Sequence, residues 1–262
     1  MIRALWTAST GMEAQQLKMD VISNNLANIN TAGFKRARPA FQDLLYQTIK
    51  SPGAPSATGA VVPAGIQIGH GTRTSEVARQ FEQGSFMQTN APLDLAVEGN
   101  GFFQVQMPTG ETAYTRDGAF HTNAEGAIVT ADGYLLQPQI TVPPDAAQVH
   151  IGNDGVVSIT KDNQTAAEQI GQIQTARFVN PGGLRAIGHN LYQPSDASGD
   201  ALAGNPGVDG RGTLAQGTLE MSNVNLVEEM VNLILTERGY EFSSKILKSS
   251  DDMLKQAAQV TG

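Results

Sequence analysis

Residues 2–29 and 224–256 place apolar side chains at steps of seven, the spacing of a helix that lies along another helix. At the front, Leu5, Met12, Met19 and Leu26 form one stripe, and Ala8, Gln15, Ile22 and Ile29 form a second three residues on. At the back, Leu226, Leu233, Tyr240, Leu247 and Leu254 repeat in the same way, flanked by Val227, Val231 and Ile234. Two long amphipathic terminal helices are predicted. A lone helix with one such stripe is marginal in water, so both ends are expected to order on assembly.

The stretch between them has a different period. Leu93, Leu95 and Val97, then Phe103, Val105 and Met107, alternate at period two around Gly99 and Gly101, which predicts half-buried strands. Asp117-Gly118, Asp132-Gly133 and Asp154-Gly155 separate β-prone runs and read as hairpin turns. The expected fold class is α+β: helical termini forming a coiled-coil domain, and a central antiparallel β domain with hairpins, open or closed into a small barrel.

Local signals set the expected boundaries. The front helix should stop in Asn28–Gly33, with Gly33 as its left-handed cap and Phe34 closing the turn. Phe41, Leu44, Leu45, Tyr46 and Ile49 have helical spacing and could pack beside the seam. In 51–65, three prolines and three glycines exclude a regular helix and make a looped connection. A second Gly/Pro-rich boundary is expected at 194–213, and Asn223 should cap the last helix, with Glu228 and Glu229 in its first turns. The expected plan is a helical domain of 1–45 plus 217–262, an extended segment 46–65, and a β domain 66–216 containing the flexible stretch 194–213.

With 25 acidic and 17 basic residues, the net charge of −8 argues against nucleic acid or an anionic membrane as partner. No run reaches membrane-span length, and Glu13, Gln15, Gln16 and Lys18 interrupt any signal-peptide core. The chain has no cysteine, which removes disulfides and thiolate metal sites. His70, His121, His150 and His189 are scattered, and no nucleotide, hydrolase or zincin motif is present, so no catalytic, cofactor or metal site is expected. Glu98, Glu111, Asp117 and Glu125 could be paired for glycoside hydrolysis, but turn and surface roles explain them with fewer assumptions. Asn24, Asn25, Asn28 and Asn30 have two readings: a fraying helix end, or amides held between packed helices that fix their register. Trp6, the only tryptophan, is either a core residue or a subunit contact.

Specific motifs then narrow the choice. Ser23-Asn-Asn-Leu-Ala-Asn-Ile-Asn-Thr-Ala-Gly-Phe-Lys35, Asp94-Leu-Ala-Val-Glu-Gly-Asn-Gly-Phe-Phe103, Tyr114-Thr-Arg-Asp-Gly-Ala-Phe120 and Ser222-Asn-Val-Asn-Leu-Val-Glu-Glu-Met230 resemble, in order, the signatures of the bacterial flagellar rod and hook axial proteins. The opening Met1–Trp6 and Phe41–Lys50, with the Pro/Gly-rich stretch after them, are most similar to the distal rod members of that family. The resemblance implies a structural subunit of a rigid helical tube that carries torque from motor to hook. It implies unfolded export through the flagellar type III apparatus, without a cleaved leader, and a place in the basal body. Implied partners are further copies of the chain, other rod proteins, the hook or its junction, and the surrounding P and L ring proteins, with no membrane insertion. The polymer interface would comprise Leu5, Trp6, Met12, Met19, Ile22, Asn24, Asn25, Leu26, Asn28, Ile29, Leu226, Met230, Leu233, Tyr240, Leu247 and Leu254. Tyr46, Pro52, Pro55, Pro63 and Gly65 would belong to a rod-straightening segment. Another axial role, proximal rod or hook-type, and a peptidoglycan-active or carbohydrate-binding middle domain are the alternatives.

Overall fold

The computed structural model describes residues 2–53, 63–161 and 167–261. It contains two compact units, one of Met1–Leu26, Ala37–Ala78 and Asn225–Gly262, the other of Ala27–Arg36 and Arg79–Val224. The first unit therefore takes in residues that the expected plan assigned to three separate regions.

In the first unit, helix α1 spans Ile2–Ala27 and helix α2 spans Leu226–Thr261. Between them lie strands β1 (Ala37–Asp43), β2 (Tyr46–Lys50), β3 (Ile66–Gly69) and β4 (Thr72–Arg79), paired as β1 with β4 and β2 with β3. The helix expected around Phe41–Ile49 is thus two strands. Local apolar spacing yields there to strand pairing with β4 and β3.

The second unit continues in chain order with β5 (Phe86–Gln88), β6 (Leu95–Glu98), β7 (Phe102–Gln106), β8 (Thr112–Thr115), β9 (Phe120–Thr122), β10 (Ile128–Thr130), β11 (Leu135–Gln137), β12 (Ala146–Ile151) and β13 (Val156–Lys161). It ends with β14 (Glu168–Gln172), β15 (Thr175–Arg177), β16 (Arg185–Gly188), β17 (Leu191–Gln193), β18 (Leu202–Gly204), β19 (Thr213–Gln216) and β20 (Thr218–Glu220). Its main antiparallel sheet has the order β16-β17-β8-β7-β11-β10-β9, with β15 and β18 branching from β7. β7 is covered on both faces: Phe103 joins the cluster of Leu95, Val97, Phe120, Leu136 and Ile173, while Phe102 joins Tyr114, Phe178, Leu184 and Tyr192. This is why the Phe-Phe pair stands where an alternating strand would carry one polar residue.

Two of the three Asp-Gly turns close hairpins. Gly133 (φ 84°) joins β10 to β11 and Gly155 (φ 83°) joins β12 to β13. Asp117-Gly118 does not, because β8 and β9 are not paired with each other. There Gly118 lies against the backbone of Leu95, where a Cβ would meet the carbonyl oxygen, so close approach and not turn geometry requires the glycine. The stretch 194–213, read as a flexible boundary, builds into this unit. Ser198 is fully buried and donates to Ser195 O at 2.8 Å, and β18 pairs with β15.

Candidate assembly interface and its supporting hub

Apart from Ile22, the inner seam of the two helices is made of small and polar residues. Ala8, Ala14, Ile22 and Asn25 are buried on α1, and Glu229, Thr236 and Ser250 are buried on α2. Ser243 completes the step of seven on α2. Gly11 faces Ser243, Gln15 packs on Gly239, and the Asn25 amide reaches a Glu229 carboxylate oxygen at 3.4 Å. Partner numbers fall along α2 as they rise along α1, which defines an antiparallel pair. The hydroxyls need no partner across the seam: Thr236 donates to Asn232 O at 2.6 Å and Ser243 to Gly239 O at 3.0 Å, within their own helix. Such residues let two backbones approach closely where leucines would hold them apart.

The large apolar residues of α2 consequently lie elsewhere. Val227, Met230, Val231, Ile234, Leu235, Phe242, Ile246 and Met253 recur at steps of three, four and seven on one face, and all are exposed. On α1, Trp6 is 64 % exposed, so it is not a core residue of this chain. The expected interface residues therefore divide. Leu5, Met12, Met19, Leu26, Leu233, Leu247 and Leu254 are half-buried, whereas Leu226, Met230 and Tyr240 are exposed. On α1 the inner seam takes Ala8, Gln15 and Ile22 of the second stripe, while on α2 it runs through Glu229, Thr236 and Ser250, off the leucine repeat. Apolar type alone does not reveal that small side chains occupy the seam.

Of the four asparagines, only Asn25 is buried; Asn24 and Asn30 are exposed and Asn28 half-buried. The Asn25 amide donates to Ala37 O and accepts from Ala37 N, both at 2.9 Å, pairing with backbone as a strand would. α1 ends at Ala27, so Ile29 lies beyond the helix and Gly33 is not its immediate cap. Gly33 has φ 69°, and its N–H donates to Glu220 O at 2.8 Å; a Cβ there would come within 2.5 Å of Asp117 N. The cap of α2 is Asn225, whose Oδ1 accepts from Val227 N (3.0 Å) and Glu228 N (3.3 Å). Asn223 instead accepts from Arg36 N at 2.7 Å and donates to the carbonyls of Gln80 and Glu82.

The second unit is organised around an ion triad that sequence reasoning missed. The Glu220 carboxylate, 1 % exposed, takes Lys35 Nζ at 2.6 Å on one oxygen and Arg116 Nη1 at 3.0 Å on the other. Gly84 N donates to the first oxygen at 2.9 Å. Lys35 also donates to Glu82 O at 2.7 Å, and Arg116 to Val97 O (3.2 Å) and Gly99 O (2.6 Å). Burial pulls the Lys35 ammonium and the Arg116 guanidinium below their ordinary pKa values, opposed in each by the Glu220 charge. Arg116 lies 5.4 Å from the centre of the Phe102 ring, and Phe34 is buried with Arg79 at 5.9 Å over its ring. Lys35, Val97–Phe102 and Arg116 come from three of the four motifs, and Glu220 stands two residues before the fourth. The signal available was one basic residue in each of two motifs, Lys35 and Arg116, each beside aromatic residues.

In the extended segment, β2 and β3 form a hairpin arm with Tyr46 paired to Gly69 and Lys50 to Ile66. Leu45, Tyr46, Ile49, Ile66 and Ile68 are exposed along it, as are Pro52 and Pro63. Gly65 sits tightly, since a Cβ would meet the Lys50 carbonyl oxygen. Pro55 lies outside the described residues. Among the described residues, no group of three or more His, Cys, Asp or Glu could hold a metal ion, and no helix is long and apolar enough to cross a membrane.

Three family models match in chain order: flagella basal body rod protein over residues 5–35, flagellar hook protein FlgE/F/G D1 domain over 96–159, and flagellar basal body rod FlgEFG protein C-terminal over 215–260. The chain is 49 % identical to the flagellar basal-body rod protein FlgG of Caulobacter vibrioides, covering 99 % of each chain. It is 46 % identical to the FlgG of Buchnera aphidicola from Schizaphis graminum, covering 99 % of this chain and all of the relative. Identity to the FlgF of Caulobacter vibrioides is lower, 34 % over the full length of this chain.

Proposed function

Because the chain belongs to the flagellar basal-body rod protein family, as a distal rod subunit of the FlgG type, we propose that its outward apolar face on α2 is the contact through which copies stack into a tube. The family is a structural one, and its place is the flagellar basal body. One observation carries the proposal: α1 and α2 meet through small and polar residues and leave Val227, Val231, Ile234, Leu235 and Phe242 exposed. A contiguous apolar stripe of this length is an association surface. Trp6 and the half-buried Leu5, Met12 and Met19 extend the contact on α1. The β2–β3 arm, with Tyr46, Pro52, Pro63 and Gly65, lies between neighbouring subunits and keeps the tube straight. Torque passes along the polymer to the hook, and the outer surface meets the ring proteins. The subunit reaches its place through the flagellar export apparatus.

Ile234→Asp with Val231→Asp tests the contact. Both residues are exposed, so the folded chain should keep its helix content and the thermal transition of the second unit. Assembly followed by sedimentation and electron microscopy should be abolished. Filaments of wild-type yield would refute the assignment. Deleting 51–64 should give curved or polymorphic filaments, and straight ones would remove the arm from the account.

A further inference from the structure

A second surface, on the β unit, carries chemistry unlike that of the α2 face. A groove of about 350 Å³ is lined by Gln104, Gln106, Thr112, Gln137, Pro138 and Gln174. Gln104 and Gln106 are two apart on β7. Gln137 on β11 stands opposite Gln104, and Thr112 on β8 opposite Gln106, so the four share one sheet face. Phe103, Val105 and Leu136, which alternate with them on the other face, are fully buried and hold the strands in place. Gln137 donates to Gln106 at 2.9 Å, while among the described residues the amides of Gln104 and Gln174 have no protein partner.

The chemistry of this lining excludes most ligands. It holds no ionisable group, so it does not select an anion, a cation or a nucleic acid backbone. Pro138 is its only apolar wall, too little for a lipid or an aromatic side chain. β7, the middle strand of the groove floor, is paired with β8 and β11 along Gln104 and Gln106, so it offers no free edge there to an extended peptide. What remains is an array of donor–acceptor amides on a fixed floor, which matches the paired hydroxyl and acetamido groups of a sugar. We propose that this groove binds a neutral glycan chain, with Gln104, Gln137 and Gln174 contacting the sugar polar groups and the Pro138 ring against a sugar C–H face. The site is independent of the helical contact proposed above.

The test is a titration of the full chain with the β-1,4-linked tetramer of N-acetylglucosamine, followed by amide shifts in nuclear magnetic resonance. The expected result is saturable shifts confined to the groove, with a dissociation constant on the order of 1 mM. Gln104→Ala combined with Gln137→Ala should weaken binding at least about tenfold, while Gln148→Ala, on the exposed part of β12, should leave it unchanged. Absence of saturable shifts would overturn the proposal, as would shifts elsewhere or equal binding by the groove variant. Loss of self-assembly in the groove variant without sugar binding by the wild type would also overturn it, and would make the surface a subunit contact. The assembly proposal fails or stands on the Ile234 variant alone.

Discussion

The helical pair and the β unit hide opposite kinds of residue. On α1 and α2 the buried positions include Ala8, Ala14, Thr236, Ser250 and an Asn25–Glu229 contact, with Ile22 the one large apolar side chain among them, and the other large apolar side chains of α2 face outward. In the β unit Phe103, Phe120, Leu136 and Ile173 are inside, and the buried Lys35 and Arg116 share the Glu220 carboxylate. A domain that buries its aromatics within one chain is complete, whereas one that buries its hydroxyls and exposes its leucines is finished by another molecule. Disturbing the two regions should therefore have different consequences.

The largest effect is expected from Glu220→Gln. It leaves Lys35 and Arg116 buried without a counter-charge and should cost the β unit about 3–5 kcal/mol, read from urea denaturation with tyrosine circular dichroism. Lys35→Met should cost less, because Arg116 and Glu220 remain balanced; equal losses would mean that the triad does not act through charge. Asn25→Ala removes the amide from Ala37 and from the Glu229 carboxylate. It should destabilise the helical unit by about 1.5–3 kcal/mol, followed by Trp6 fluorescence, with amide exchange in the β unit unaltered.

Asp117 gives a smaller and pH-dependent contrast. Burial is the main cause that raises its carboxyl pKa above 3.8, opposed by a hydrogen bond from Ala119 N at 3.1 Å. A carboxyl whose folded pKa is raised contributes stability that is full below the unfolded value and is lost as pH rises through the folded value. Asp117→Asn should therefore flatten the fall in β-unit stability just above pH 3.8, and an unchanged slope would point to another group. The smallest effect has the opposite sign. Gly11→Ala places a Cβ 3.7 Å from Ser243 Oγ, an ordinary contact, and should stabilise the helical unit by about 0.5–1 kcal/mol in thermal melts. Gly239→Ala, with Gln15 only 3.1 Å away, should not.

Local signals were readable where local physics decides. Both long helices, the strand alternation around Gly99 and Gly101, and the turns at Gly133 and Gly155 follow from period and backbone freedom within a few residues. The α2 cap was misplaced by two positions because Asn223 and Asn225 are equally good caps in isolation. Asn223 is drawn off by Arg36, Gln80 and Glu82, which are far away in sequence. The same limit hid β1, whose partner β4 lies some thirty residues on, and the ion triad, whose members are distant in the chain. The seam between α1 and α2 was half legible. Periodicity located the helices, but which stripe faces inward depends on how closely two backbones approach, and a single strand of letters does not carry that distance.

The bond between Lys35 and Glu220 spans 185 positions. A chain that emerges N-terminus first, from a ribosome or a narrow channel, holds Lys35 and Arg116 ready long before their carboxylate arrives. The β unit cannot close until residue 220 is free. Of the three charges, the one that holds the other two is thus the last to be made, and closure of the β unit waits on it.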